Sequence, residues 1–223
     1  ENSKKHQQPA TLNVKSNLDK LTLNDMQVFR FNFRHEKNQK ILYLHGGYNT
    51  LQPSPFHWRL LDKLTLNTLH EVVLPIYPKS PDYHYLETFK AIRDVYNQLV
   101  EEVGADNIVM MGDGSGGGLA LSFVQSLIND NQEVPRKLFL LSPLLDATLT
   151  NPNITQTLEE NDILVSRFGV HQLMKSWAND LPLSDARISP LYGTLKGLPP
   201  IYMYGGGREI LSPDMHAFTH ALF

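Results

Sequence analysis

Residues Met111–Phe123 read MGDGSGGGLALSF. A short apolar run, Ile108-Val109-Met110, leads into the stretch, and apolar residues at helical spacing lead out of it. Strand, glycine-rich hinge with one serine, then helix is the local plan that lifts a nucleophilic hydroxyl off the end of a sheet. Glycine-rich strand-to-helix turns also hold phosphates on the first N–H groups of the helix, so a nucleotide site competes for this stretch alone. No Lys-Ser/Thr pair follows, so it is not a Walker motif.

On both sides of this turn, strands alternate with helices. Val28–Arg34 alternates Phe29, Phe31, Phe33 against Arg30, Asn32, Arg34, the pattern of a half-buried antiparallel strand. KILYLH (Lys40–His45) reads as a buried strand. Ser54-Pro55 opens a helix over about 55–69, and EVVLPI (Glu71–Ile76) reads as a strand that Pro75 ends or bends. A helix follows over Leu86–Val103, then a strand at Asn107–Met111 and a helix over 115–130. Strands at Lys137–Leu141 and Ile201–Tyr204 and a helix from Ser212-Pro213 complete the order. The alternation predicts an α/β fold: a mostly parallel central sheet, helices on both faces and right-handed crossovers, in a single domain over 1–223. Residues 1–25 are polar and irregular, with weak helix signals around Leu18–Leu23. About 145–190 interrupts the alternation with NPNITQTLEEND and a helix near Val170–Ala178. This segment is expected to be a small cap over the carboxyl ends of the strands, where such sheets bind ligands.

Composition narrows the function. With 41% apolar and 19% charged residues, the chain has the make-up of a soluble globular protein. The net charge of -3 gives no basic footprint, so no nucleic-acid partner is expected. There is no cysteine, which removes disulfides, thiolate metal sites and cysteine nucleophiles. No apolar run reaches membrane-spanning length. His216 and His220 share a helix face but lack a zincin-type carboxylate motif, so no metal is expected. The chain opens on Glu1 and not Met. A cytoplasmic protein and one processed from an anchored or exported precursor both stay open.

Four stretches carry chemistry. LHGGYN (Leu44–Asn49) follows a strand, and its glycines let backbone N–H groups face a cleft, as an oxyanion requires. GDGSGGG (112–118) holds the serine. LLSPLLDAT (Leu140–Thr148) ends a strand with Asp146, and GLPPIYMYGGGREIL (Gly197–Leu211) sets Glu209 after a strand and a glycine turn.

Together these resemble the hormone-sensitive-lipase-type group of α/β-hydrolase esterases. His45-Gly46-Gly47-Tyr48 stands at that family's H-G-G-G, and Tyr77-Pro78-Lys79-Ser80-Pro81-Asp82 at its Y-R-L-A-P-E. Gly112-Asp113-Gly114-Ser115-Gly116-Gly117-Gly118 stands at G-D-S-A-G-G-G. Ser142–Asp146, Ser189-Pro190-Leu191, Gly197–Pro200 and Gly206–Leu211 match S-P-W-L-D, S-P-L, G-L-P-P and G-x-x-D/E-x-L in order. The likeness implies an α/β-hydrolase fold and hydrolysis of short-acyl or small acylated esters without metal or organic cofactor. Ser115 is then the nucleophile, Gly46 and Gly47 the oxyanion donors and Glu209 the acid that orients a histidine. His45 shapes the loop, while Gly114 and Asp113 support the elbow.

Two departures stand out. Aligned on its glycines, the elbow has Gly114 where the family has its serine, and Ser115 lies one place late. Either the backbone is unchanged and Ser115 opens the helix, or the turn re-registers and Ser115 reaches the apex. The family's histidine lies well past the acid, beyond another strand, so it is expected beyond Phe223. His216 and His220 fall on the helix directly after Glu209. The remaining histidines, His57 and His171 among them, read as surface or packing residues. Glu209 itself could instead be a charge at a helix start, a role that Asp214 fits better. A degenerate copy that only binds a small ligand or protein partner is the alternative function. The expected lack of the family's last strand and helix also predicts an exposed apolar sheet edge, prone to pairing or aggregation, and a homodimer stays open.

Overall fold

The computed structural model describes residues 3–32 and 39–223. Its strands are β1 (Leu18–Leu23), β2 (Met26–Phe31), β3 (Lys40–Leu44), β4 (Glu71–Pro75), β5 (Ile108–Asp113), β6 (Lys137–Leu141) and β7 (Ile201–Tyr204). They form one sheet in the order β1-β2-β4-β3-β5-β6-β7. β2 runs antiparallel to both β1 and β4, and the other neighbours are parallel. The helices are α1 (Pro55–Thr68), α2 (Tyr85–Val103), α3 (Gly114–Asn129), α4 (Gln156–Asn161), α5 (Arg167–Ala178) and α6 (Ser212–Ala221).

The core follows from the period-two alternation of each strand. On β3, Leu42 and Leu44 point into a cluster with Ile92, Val95 and Leu99 of α2 and with Leu119 and Phe123 of α3. Ile41 and Tyr43 point the other way, into a cluster with Trp58 and Leu61 of α1. Every residue of β3 and β4 is buried, as a strand between two helical layers requires.

Two expectations need correction. Leu18–Leu23 is a strand and not a helix, because Asn24 (φ 47°) and Asp25 (φ 64°) form the tight turn that folds it back onto β2. The β2 strand is covered on both faces. Phe29 and Phe31 are buried, and so is Arg30, 2% exposed, which pairs with Glu71 and with Glu102 Oε2 at 2.6 Å. Lys40 Nζ joins the same two carboxylates at 2.9 Å each. These donors offset the burial of Glu102 and hold its carboxyl down at about 2. A charge placed on the supposed wet face is therefore buried and paired. Phe33, Arg34 and His35 lie outside the described residues.

The strands Lys137–Leu141 and Ile201–Tyr204 stand as read, and the segment about 145–190, expected as a cap, contains α4 and α5. β7 closes the sheet at one edge, with Tyr202 stacked on Phe139 of β6 at 4.7 Å between ring centroids.

Candidate active site

The parallel strands β3, β5, β6 and β7 all end at one side of the sheet, and their terminal loops meet there. β5 ends at Asp113 and α3 begins at Gly114, with no loop between. Gly114 has φ +52°, and a Cβ on it would meet nothing within 4 Å. Gly116 faces the opposite constraint: a Cβ there would fall onto the carbonyls of Leu44 and His45. A Cβ on Gly112 would lie 2.5 Å from the Gly116 carbonyl oxygen. Residues 112 and 116 are therefore the two small flanks of a sharp turn, and its apex is Gly114. The turn has not re-registered. Ser115 sits in the first turn of α3, 5% exposed, with its Oγ buried and without a partner. Of the two registers left open by the sequence, this is the unchanged one: Ser115 borders the apex and does not occupy it.

Asp113 is the N-cap of α3, yet its carboxylate does not cap the helix. It turns towards the loop after β3. Oδ1 accepts the Gly46 N–H at 2.9 Å and the Tyr43 hydroxyl at 2.8 Å. His57 Nε2 lies 3.1 Å from both carboxylate oxygens. The Ser54 N–H donates to His57 Nδ1 at 2.8 Å, so Nδ1 is an acceptor and Nε2 carries the proton given to Asp113. Burial alone would raise the Asp113 carboxyl; the His57, Tyr43 and Gly46 donors outweigh it and hold the group below the usual carboxylate range. Two readings change here. Gly46 is bound to Asp113 and is not free as an oxyanion donor. Gly47 N–H has no protein acceptor among the described residues, and the N–H groups that open α3 stay free of the Asp113 side chain. His57, read as a surface or packing residue, belongs to the site. The sequence shows only its helix-start role: Ser54 and His57 stand three apart, the spacing of a capping box, which says nothing of the contact with Asp113.

His45 is fully buried behind the loop. Its Nδ1 lies 2.7 Å from the Gly46 carbonyl, and the ring stacks on Tyr77 at 4.8 Å. Burial first, and then the Lys79 cation, hold it well below the usual imidazole range, so it stays neutral. It packs against the loop, between the Gly46 carbonyl and Tyr77.

Glu209 arrives from the loop after β7. Its Oε1 accepts the Ser142 hydroxyl at 2.9 Å and the Gly206 N–H at 2.8 Å, while Oε2 is buried with no partner. No described histidine touches it; His216 and His220 lie on α6. Gly46, Gly47, Asp113, Gly114, Ser115 and Glu209 line one cavity of about 520 Å³, together with His57 and Ser142. Leu144, Leu164, Val165, Val170 and Leu211 supply its apolar wall. Among the described residues, no group of three or more His, Asp or Glu side chains is placed to hold a metal ion, and no helix is long and apolar enough to cross a membrane.

Asp214, in the first turn of α6, is 1% exposed. Its Oδ1 accepts Asn151 Nδ2 at 2.8 Å, and Oδ2 is buried without a partner. Burial, with the Asp146 charge nearby, raises its carboxyl to about 6. The folded protein therefore binds this proton more tightly than the unfolded chain. The group's stabilising effect is full below the ordinary carboxylate value and is lost as pH rises through about 6. Asp214→Asn is expected to flatten the fall in melting temperature between pH 4 and 7, a window worth up to about 3 kcal/mol. Thermal melts of both proteins across that range check it; parallel curves would refute it.

The family described as the α/β-hydrolase fold matches residues 41–223. A triacylglycerol lipase of Mycobacterium tuberculosis is 30% identical over 200 residues, which span 89% of this chain and 41% of that protein. An esterase of Acinetobacter venetianus is 34% identical over 182 residues, spanning 81% of this chain and 60% of that protein. The chain thus spans about half the length of these curated relatives. A crystal structure of a Staphylococcus aureus protein provisionally named an esterase is 65% identical with a TM-score of 0.96, and the match covers 98% of this chain and 74% of that one. The family match extends over more than half of the sequence, from β3 and the glycine loop after it to α6: the chain belongs to the α/β-hydrolase-fold family.

Proposed function

We propose that this pocket hydrolyses carboxylic esters with short acyl groups, through Ser115. The observation that carries the reading is Glu209: one carboxylate oxygen is fixed by Ser142 and Gly206, and the other is buried in the pocket without a partner. A carboxylate held this way orients an imidazole that takes a proton from a hydroxyl. Three residues with hydroxyls line the cavity. Tyr48 donates to the Leu164 carbonyl and Ser142 to Glu209, while Ser115 Oγ has no partner. That leaves Ser115 as the hydroxyl available to attack an acyl carbon. The Gly47 N–H, with the first-turn N–H groups of α3, would receive the oxyanion. The esterase and lipase names of the relatives support the same chemistry, and the apolar wall suits a small acyl chain. No cofactor is called for. The protein acts without nucleic acid in this reading.

The test is turnover of p-nitrophenyl acetate and butyrate by the full-length protein beside Ser115→Ala. Loss of at least about 10³-fold in the variant is expected for a covalent nucleophile. Equal turnover in both would overturn the role of Ser115. A folded protein with no turnover of any ester would overturn the reading as a whole and leave a pocket that only binds.

A further inference from the structure

The cap tip and the loop that carries Glu209 are fastened by one side chain. Asp162 lies between α4 and α5, half-buried, on the wall of the cavity. Its Oδ1 accepts the N–H groups of Leu164 at 3.0 Å and Val165 at 2.9 Å, which folds the tip 162–165 into a tight turn. Its Oδ2 accepts the N–H of Ile210 at 3.0 Å. Ile210 directly follows Glu209, and Leu164 and Val165 are cavity wall. The tip has a second tether, from the Tyr48 hydroxyl to the Leu164 carbonyl at 3.0 Å, which ties it to the glycine loop after β3. Tyr48 reaches the tip but not the acid loop. Asp162 reaches both.

We propose that Asp162 is a positioning residue that couples the cap to the acid: the carboxylate that folds the cap tip over the pocket also holds the backbone beside Glu209. Substrate that seats the tip then seats the acid, and a displaced tip releases the Ile210 end of the loop. Glu209 has its own anchors on the other side, Ser142 and the Gly206 N–H. Loss of the Asp162 link therefore loosens the orientation of the acid without removing it. The inference rests on the hydrolase reading for its effect on catalysis, but the link itself can be measured without turnover.

The two halves of the link separate chemically. Asp162→Asn keeps one carbonyl oxygen, which the two tip amides can share, and places an NH2 group against the Ile210 N–H. Asp162→Ala removes both halves. In the full-length protein, amide hydrogen exchange followed by NMR should show Ile210 faster by about tenfold or more in both variants. Leu164 and Val165 should be faster only in the alanine variant. On p-nitrophenyl butyrate, Asp162→Asn is expected to lower kcat by about tenfold with KM nearly unchanged, and Asp162→Ala to raise KM as well. Unchanged Ile210 protection in Asp162→Asn would overturn the proposal. So would a KM effect alone, since a wall residue that merely shapes the cap would give that. If the wild type hydrolyses no ester, the hydrolase reading fails, and the exchange pattern still decides whether the link exists.

Discussion

Gly114→Ser is expected to raise ester turnover by about 10²-fold or more over the wild type, because it puts a hydroxyl at the apex of a turn already built for one. The backbone there has φ +52°, and a Cβ would project into open space. The close approaches fall on Gly112 and Gly116, which stay unchanged. A serine at this φ costs about 1–2 kcal/mol, so some loss of stability should accompany the gain. Ser115 starts one position further on, at 5% exposure and inside the helix, so under the proposed function its hydroxyl would attack from the side of the apex. The double variant Gly114→Ser/Ser115→Ala should keep the gain, since the new hydroxyl no longer depends on the old one. kcat/KM on short-acyl p-nitrophenyl esters, with labelling by a fluorophosphonate, reads both variants. Full labelling with no gain in turnover would mean that the apex is aligned with the pocket but not with the acid. Absence of labelling at residue 114 would show that the space over Gly114 is not where an acyl carbon sits.

The elbow also shows where residues alone stop being decisive. Two registers fit the same string of glycines, and the choice between them lies in contacts made by atoms far off in sequence. The carbonyls of Leu44 and His45 press on Gly116 and so fix which glycine is the flank. Local patterning did better where the signal was local. β3 and β4 were readable from unbroken apolar runs, and β6 and β7 from apolar runs bounded by turn residues. The supposed helix at Leu18–Leu23 failed because six residues with little apolar periodicity are decided by their partner strand. Arg30 looked wet by alternation and is dry, since Glu71 and Glu102 arrive from β4 and α2 to pair with it. Within the site, Glu209 and the glycine loop were legible as motifs. His57 was not, because a capping box gives no hint that the other ring nitrogen reaches Asp113.

Asp113→Ala should cost about 2–4 kcal/mol of stability and about 10²-fold in turnover, and Asp113→Asn should be nearly as damaging. The alanine leaves three donors without their acceptor: the Gly46 N–H, the Tyr43 hydroxyl and His57 Nε2. Burial already pushes the Tyr43 hydroxyl well above its ordinary range, and Asp113 adds to this, so Tyr43 has no ionised form to fall back on. With Gly46 released, the loop that presents the Gly47 N–H loses its tie to β5, and the proposed oxyanion donor loses its place. The asparagine is the sharper test. It keeps one oxygen for Gly46 and Tyr43 but turns an NH2 group towards the proton on His57 Nε2. His57 cannot answer by moving that proton to Nδ1, because Nδ1 already accepts the Ser54 N–H at 2.8 Å. The one remaining oxygen then has to serve Gly46, Tyr43 and His57 together, which weakens either the pair at residue 113 or the start of α1. Nitrogen-15 shifts of His57 should therefore show the Nε2–H tautomer in the wild type and a changed state in Asp113→Asn, alongside a lowered melting temperature. The pH dependence has the same origin. The Asp113 carboxyl is held below its ordinary range, so the network is intact above that range and is lost as pH falls through the depressed value. An Asp113→Asn protein as stable and active as the wild type would mean that the loop is held by the buried His45 and Tyr77 alone, and that Asp113 only fills space beside Gly46.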